Sequence, residues 1–160
     1  MDRLDSLLDI IDQGEARYGD RFAFGMRADD GSSEHWTYRE LNRHSRLIAW
    51  RLRALGLAPG DRLLVWTPAS PAVPALYFGA MRAGAVVVPL DLRMSPDAIE
   101  RIAEKAAASR LAIGTGRDAP DPRDARLEHF PTSTVEDLAA PPDPAWPAGW
   151  ADQVGAWPRR

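Results

Sequence analysis

The chain has 160 residues, a formal net charge of −3 and 27% charged residues, which makes one domain or a piece of a larger one and gives no basic excess for a nucleic-acid partner. It holds no cysteine, which excludes a disulfide framework, a thiolate metal site and a cysteine nucleophile. The first residues carry acids within their apolar run and no small-residue cleavage site, so no secretory or transit peptide is read there, and a cytoplasmic protein is expected.

Residues 4–18 place Leu4, Leu7, Leu8 and Ile11 at helix spacing, with Gly14 weakening the second half and Gly19 ending it. Phe22, Phe24 and Met26 alternate, the pattern of a half-buried strand. Asp29, Asp30 and Gly31 then make a hairpin loop, and residues 35–38 return as the partner strand. The Asp29–Asp30 pair is read as turn chemistry, since no third metal ligand stands nearby.

Thr37 and Glu40 form a capping box for a helix that runs to Leu55 and stops at Gly56. Its inner stripe is Leu41, Ser45, Ile48, Leu52 and Leu55. Arg39, Arg43, Arg46 and Arg53 lie on the far side, with Arg51 a fifth arginine. A basic helix binds nucleic acid or anionic lipid in some proteins. Without an aromatic stacking ladder, the solvated-face reading is preferred here. Trp50 projects from this arginine face, where two accounts stand: it stacks on Arg46 or Arg53, or it meets chain that lies outside these 160 residues.

The organising stretch is residues 59–90. Gly60 and Asp61 turn the chain, residues 62–66 make a short apolar strand, and Pro68 and Pro71 forbid its extension. Ser70 is expected to cap the next helix with Pro71 at its first position. Val73, Leu76, Tyr77 and Ala80 form one face, and Phe78 makes the opposite face apolar too. Arg82 is the only charge. Gly84 suits the left-handed stop, and residues 85–88 read as a strand covered on both sides. A helix apolar all round belongs to the interior of a larger protein or to a membrane. The neighbouring Arg62 and Arg93 leave the run too short to span a bilayer, so a larger protein is expected.

Ser95, Pro96 and Asp97 open another helix, with Ile99, Ile102, Ala103 and Ala106 inward, and residues 110–113 form a third strand. The β-α-β-α-β order predicts an α/β fold: the N-terminal part of a doubly wound parallel-sheet subdomain, preceded by a helix and a hairpin. Beyond residue 113 the composition changes, since eight of the 14 prolines fall at or after Pro120. Ser133 and Glu136 are expected to box a short helix through Leu138. The rest reads as an irregular Pro/Trp-rich tail. Its Trp146, Trp150 and Trp157 are more aromatic than a solvated linker needs, so the tail is expected to pack on something.

The search for chemistry finds scaffold. Residues 114–119 fit G-x-G-x-x-A after a strand, but Pro120 and Pro122 oppose the helix that pattern requires, and a plain glycine turn is preferred. There is no G-x-x-x-x-G-K-[ST] loop and no G-x-S-x-G elbow. Ser70 lacks the flanking glycines of a nucleophilic serine. His35, His44 and His129 show no zinc spacing. No catalytic, cofactor-binding or metal residue is assigned.

Four pieces in order resemble the AMP-binding, adenylate-forming enzymes: Thr37-Tyr38-Arg39-Glu40-Leu41, residues 56–62 (GLAPGDR), Pro68-Ala69-Ser70-Pro71, and residues 82–90 (RAGAVVVPL). That superfamily holds acyl-CoA synthetases, peptide-synthetase adenylation domains and firefly luciferase. The likeness covers roughly residues 4–113. Ala69 stands where asparagine is common and Leu92 where proline is common. The resemblance implies an ATP-dependent ligase: a carboxylate attacks the α-phosphate of ATP, pyrophosphate leaves, and a thiol such as coenzyme A takes the acyl group. Magnesium and positive groups would stabilise the phosphoryl oxygens. The family's Ser/Thr/Gly-rich phosphate loop, aromatic-Gly-x-x-Glu motif, ribose-binding aspartate and C-terminal-domain lysine are not in this sequence.

The resemblance thus implies residues 1–113 as the N-terminal α/β segment of an AMP-dependent synthetase and 114–160 as an extension ending before the phosphate loop. The chain is expected to be inactive alone, with ATP, magnesium and coenzyme A belonging to a full-length relative. The alternative is a self-contained, non-catalytic interaction module using Trp50 and the Arg39/Arg43/Arg46/Arg53 face. A third reading is a nucleotide-binding module at residues 114–119. Trp50, the three tail tryptophans and the two-faced helix are expected to leave exposed apolar surface. The DNA beyond codon 160 is expected to encode the missing loop.

Overall fold

The computed structural model describes residues 4–27, 31–115 and 118–158. Helix α1 (Leu7–Tyr18) starts where Asp9 Oδ2 accepts the backbone N–H of Ser6 at 2.8 Å. Its buried residues are Leu8, Ile11 and Gly14, while Leu4 and Leu7 stand exposed. The expected stripe is rotated because Tyr38 lies against Gly14, where a Cβ would come within 2.6 Å of the ring.

Strands β1 (Phe22–Arg27) and β2 (Ser33–Thr37) form an antiparallel hairpin. Phe22, Phe24 and Met26 point outward, against the half-buried expectation, and Phe22 is 71% exposed. The inward position belongs to Ala23, which packs on the core. The loop residues Asp29 and Asp30 lie outside the described residues.

Helix α2 (Tyr38–Ala54) carries the expected capping box: Thr37 Oγ1 accepts the Glu40 N–H at 3.2 Å, and Glu40 Oε2 accepts the Thr37 N–H at 2.7 Å. Leu41, Ser45, Ile48 and Leu52 are buried, whereas Leu55 is exposed because the helix has ended and Leu57 takes the core position.

Strand β3 (Arg62–Trp66), helix α3 (Ala72–Arg82), strand β4 (Val86–Pro89), helix α4 (Pro96–Ala106) and strand β5 (Arg110–Ile113) follow in the predicted order. Strand β6 (Thr132–Thr134), which the sequence reading missed, adds to them. The sheet order is β4-β3-β5-β6, all parallel, with Leu64 paired to Val88 on one side and Leu111 on the other. Side chains alternate across β3. Leu63 and Val65 join the core shared by α2, α3 and the later helices, and Leu64 and Trp66 join Ile99 and Ala103 of α4. Helices on both faces of a parallel sheet are the doubly wound layout.

Three local expectations are corrected. Pro71, rather than Ser70, occupies the N-cap of α3, and no side chain caps it. The buried face of α3 is Ala75, Leu76, Gly79, Ala80 and Arg82, with Val73 and Tyr77 half-buried. Gly79 sets this face: a Cβ there would meet Ile48 Cβ at 2.8 Å and the Ser45 carbonyl at 2.9 Å, so α3 presses directly on α2. Strand β4 is the sheet edge, with Val86 51% exposed; Val87 packs on one core and Val88 on the other, so its two faces are covered in part rather than fully. Pro89 sits at its end, where a missing N–H is tolerated. Gly84, at φ 79°, is the left-handed stop after α3.

The tail holds more structure than its composition suggests. A 3-10 turn (Pro122–Ala125), β6, α5 (Val135–Ala139) and α6 (Trp150–Gly155) return to the sheet and to α2. Thr134 Oγ1 accepts the Asp137 N–H at 3.0 Å, so the α5 cap sits one residue later than the expected Ser133–Glu136 pair. Trp50 follows neither of its two accounts, because its partners belong to this chain's own tail: its ring stacks on Trp157 at 6.2 Å and 11°, with Trp146 and Trp150 at 6.0 and 6.5 Å. These four indoles are half-buried. Their expected exposure is thereby corrected, since the chain's own tail supplies the cover. The interaction-module reading loses Trp50 for the same reason. Among the described residues, no helix is long and apolar enough to cross a membrane.

Candidate functional site

Open parallel sheets bind ligands beyond the carboxyl ends of their strands, at the point where strand order reverses. Here the reversal falls between β3 and β5. The chain leaves β3 through Thr67 and Pro68 and leaves β5 through Gly114 and Thr115. Gly114 is buried, and a Cβ there would overlap Thr67 Oγ1, so only glycine lets the two exits lie side by side. Thr67 Oγ1 donates to the Pro68 carbonyl at 3.0 Å. The Thr115 N–H donates to Glu136 Oε1, on the first turn of α5, at 3.3 Å.

Beyond β4, Arg93 Nη2 donates to Asp91 Oδ2 at 2.8 Å, and this hydrogen bonding holds the Asp91 carboxyl down to about 2. The pair satisfies itself at an exposed turn. Ser70, on the β3 exit, gives its carbonyl to the Val73 N–H at 3.1 Å. The described part of the G-x-G-x-x-A stretch opens no helix at residues 118–121, and Gly116 and Arg117 lie outside the described residues. The described edge therefore offers hydroxyls and the Glu136 carboxylate. Polyphosphate needs guanidinium, ammonium or a fan of helix amides, and these groups do not fit a triphosphate.

The histidines do not converge. His35 stacks on Phe22, His129 lies tilted against Phe130, and His44 stacks on Trp36, where its Nδ1 lies 3.2 Å from the Ala139 carbonyl. Burial pushes the His44 pKa down. Among the described residues, no group of three His, Asp or Glu side chains could hold a metal ion.

The arginine face of α2 is tied to the tail. Arg51 donates to the carbonyls of Leu138, Ala140 and Pro141 at 2.8, 2.6 and 2.6 Å, and its guanidinium lies 5.0 Å from the Trp146 ring centre. Arg53 lies 5.0 Å from the Trp157 ring centre. Arg46 Nη1 donates to the Ala151 carbonyl at 3.3 Å, and Arg39 Nε donates to Asp20 at 2.8 Å. Arg43 makes no hydrogen bond or ion pair among the described residues.

The polar centre that sequence reasoning passed over is Arg82. It is 5% exposed and donates through Nε to Ser45 Oγ at 3.0 Å and through Nη2 to Asn42 Oδ1 at 2.6 Å and to Asp12. Asn42 in turn donates to Glu15. The signal was present: one charge on an otherwise apolar helix, facing an inner stripe that contains Ser45. Arg82, Asn42 and Ser45, the centre of this cluster, are closed to a substrate. The cluster locks α1, α2 and α3 together.

The family model described as AMP-binding enzyme matches residues 11–154. A long-chain-fatty-acid–CoA ligase of Escherichia coli is 35% identical over 113 residues, 70% of this chain and 19% of the ligase. Pyochelin synthetase PchE of Pseudomonas aeruginosa is 38% identical over 121 residues, 76% of this chain and 8% of the synthetase. Among solved structures, a fatty acyl-adenylate ligase from L. pneumophila superposes with a TM-score of 0.72 at 19% identity, covering 99% of this chain and 26% of that one. The N-terminal subdomain of Klebsiella oxytoca NpsA gives 0.71 at 24% identity, covering 86% of this chain and 32% of that one. The chain thus spans a fifth or less of the length of these two curated relatives.

Proposed function

The chain belongs to the AMP-binding enzyme family, and from that premise we propose that it is the N-terminal part of a ligase that activates a carboxylate as an acyl-adenylate. The class proposed is that of the acyl-CoA synthetases. In this reading residues 1–113 are the N-terminal α/β segment, and 114–160 extend it toward the phosphate loop of a full-length protein. ATP, magnesium, the carboxylate and coenzyme A belong to that whole assembly, and the present chain supplies one wall of it. No step of the reaction is assigned to its residues.

The observation that supports this reading is the family match over residues 11–154, which takes in both the doubly wound sheet and the tail folded on α2. A chimera tests it. Residues 11–154 replace the matching segment of the Escherichia coli long-chain-fatty-acid–CoA ligase, and carboxylate-dependent exchange of pyrophosphate into ATP is measured. The chimera is expected to exchange, and the isolated chain is expected not to. A folded chimera without exchange, or exchange by the isolated chain above a no-enzyme blank, overturns the proposal.

A further inference from the structure

A groove of about 420 Å³ runs between α1, α2 and α6, lined by Glu15, Arg39, Arg43, Arg46, Trp150 and Ala151. Its volume falls within the range of small-molecule pockets, roughly 300–1,000 Å³. Arg39, Arg43 and Arg46 follow one another at i, i+4 and i+7 along α2, so one wall is a row of guanidiniums. The other wall is the Trp150 indole, held edge-on against Trp146 at 5.3 Å and 78°.

The charges divide unequally. Arg39 is engaged by Asp20 at 2.8 Å and lies 4.0 Å from Glu15. Arg46 Nη2 lies 3.8 Å from Asp12, whose stronger partner is the buried Arg82. Glu15 accepts from Asn42, which satisfies part of its charge inside the wall. Arg43 stands between them, exposed, with no hydrogen bond or ion pair among the described residues. Like charges three and four positions apart on a helix repel, at roughly 0.2–0.5 kcal/mol per pair. An anion lying along the row would relieve that repulsion. A guanidinium keeps several N–H donors after one contact, so Arg46 has donors left beyond its bond to the Ala151 carbonyl.

We infer that this groove binds an organic phosphate monoester, the phosphate held by Arg43 with Arg46 and the organic part laid against Trp150. The pairing of a fork-shaped donor with an apolar wall selects this class. Inorganic phosphate satisfies only the arginines, and a neutral aromatic only the indole. The inference stands on the groove alone and does not depend on the ligase reading.

The test is isothermal titration of the full chain, at low salt, with 1-naphthyl phosphate, inorganic phosphate and 1-naphthol. The naphthyl phosphate is expected to bind more tightly than either of the others. Arg43→Gln is expected to weaken it about tenfold, as the loss of one charge-assisted contact. Arg101→Gln, on the exposed side of α4 beyond the sheet, is the control and is expected to change nothing. Arg43 makes no fold-holding contact, so the variant tests binding rather than folding; matched unfolding curves verify this. Absence of naphthyl phosphate binding, or equal weakening by Arg43→Gln and Arg101→Gln, overturns the inference. The same holds if inorganic phosphate binds as tightly as the ester.

Discussion

Arg82 Nε, on the last turn of α3, donates to Ser45 Oγ on α2 at 3.0 Å, inside the core. The same guanidinium reaches Asn42 and Asp12. Removing one partner of such a buried pair typically costs about 3–5 kcal/mol, because the others remain desolvated. Arg82→Ala is therefore expected to lower the urea midpoint by most of the chain's stability. Arg82→Lys is expected to lower it too, since an ammonium cannot span three partners in one plane. A Lys variant with an unchanged midpoint would show that charge alone suffices.

Gly79 gives a prediction against helix propensity. Alanine in a helix interior is favoured over glycine by about 1 kcal/mol. Here its methyl would meet Ile48 and the Ser45 carbonyl within 3 Å. Overpacking of this kind costs roughly 1–3 kcal/mol. Gly79→Ala is expected to destabilise on balance, read as a lower thermal midpoint, whereas a higher midpoint would mean that α2 and α3 separate without penalty.

The indole cluster predicts how the tail behaves. Trp50→Ala removes the ring that Trp146, Trp150 and Trp157 share. The expected loss is roughly 2–3 kcal/mol, below that of emptying a fully buried aromatic site. Limited proteolysis is expected to cut sooner within residues 140–149, while the sheet core stays protected. Unchanged cutting kinetics would place the tail's anchorage in the Arg51 hydrogen bonds instead.

His44 sets a pH dependence. Burial holds its pKa below the ordinary 6.5, despite the Ala139 carbonyl that favours the charged ring. Arg43 pushes in the same direction as burial, and Glu40 opposes it. Below 6.5 the unfolded chain takes up a proton that the folded chain refuses. The unfolded state thus binds more protons in that window, and stability is lost as pH falls through it. Urea midpoints measured at about pH 7.5, 6 and 5 are expected to fall in that order. His44→Phe, which keeps the stack on Trp36, is expected to flatten the slope.

Local chemistry made much of the fold legible. The capping box at Thr37, the proline-opened helix at Ser95 and three apolar runs gave strand and helix order, because each signal lies within a few residues of what it specifies. Strand β6 was missed because Thr132-Ser133-Thr134 carries no apolar alternation; its place is set by pairing with Leu111 to Ile113. The outward turn of Phe22 and Phe24 was missed because alternation fixes two faces without saying which is inner. The tail's attachment was half visible. Its tryptophans announced a contact, but their partner Trp50 lies far away in sequence, and only the fold brings them together. The Arg43 groove has the same origin, since its indole wall comes from α6.

That attachment also governs the order of events in folding. Arg46 and the Ala151 carbonyl it holds are 105 positions apart, so helix α2 finishes burying its surface only after α6 has been made. Contacts of such separation slow folding, because the intervening loop must be closed before they form. During synthesis, α2 emerges early with Trp50 and its arginines bare and stays so until α6 arrives. The arginine row then keeps that waiting surface charged and disfavours its pairing with another nascent chain.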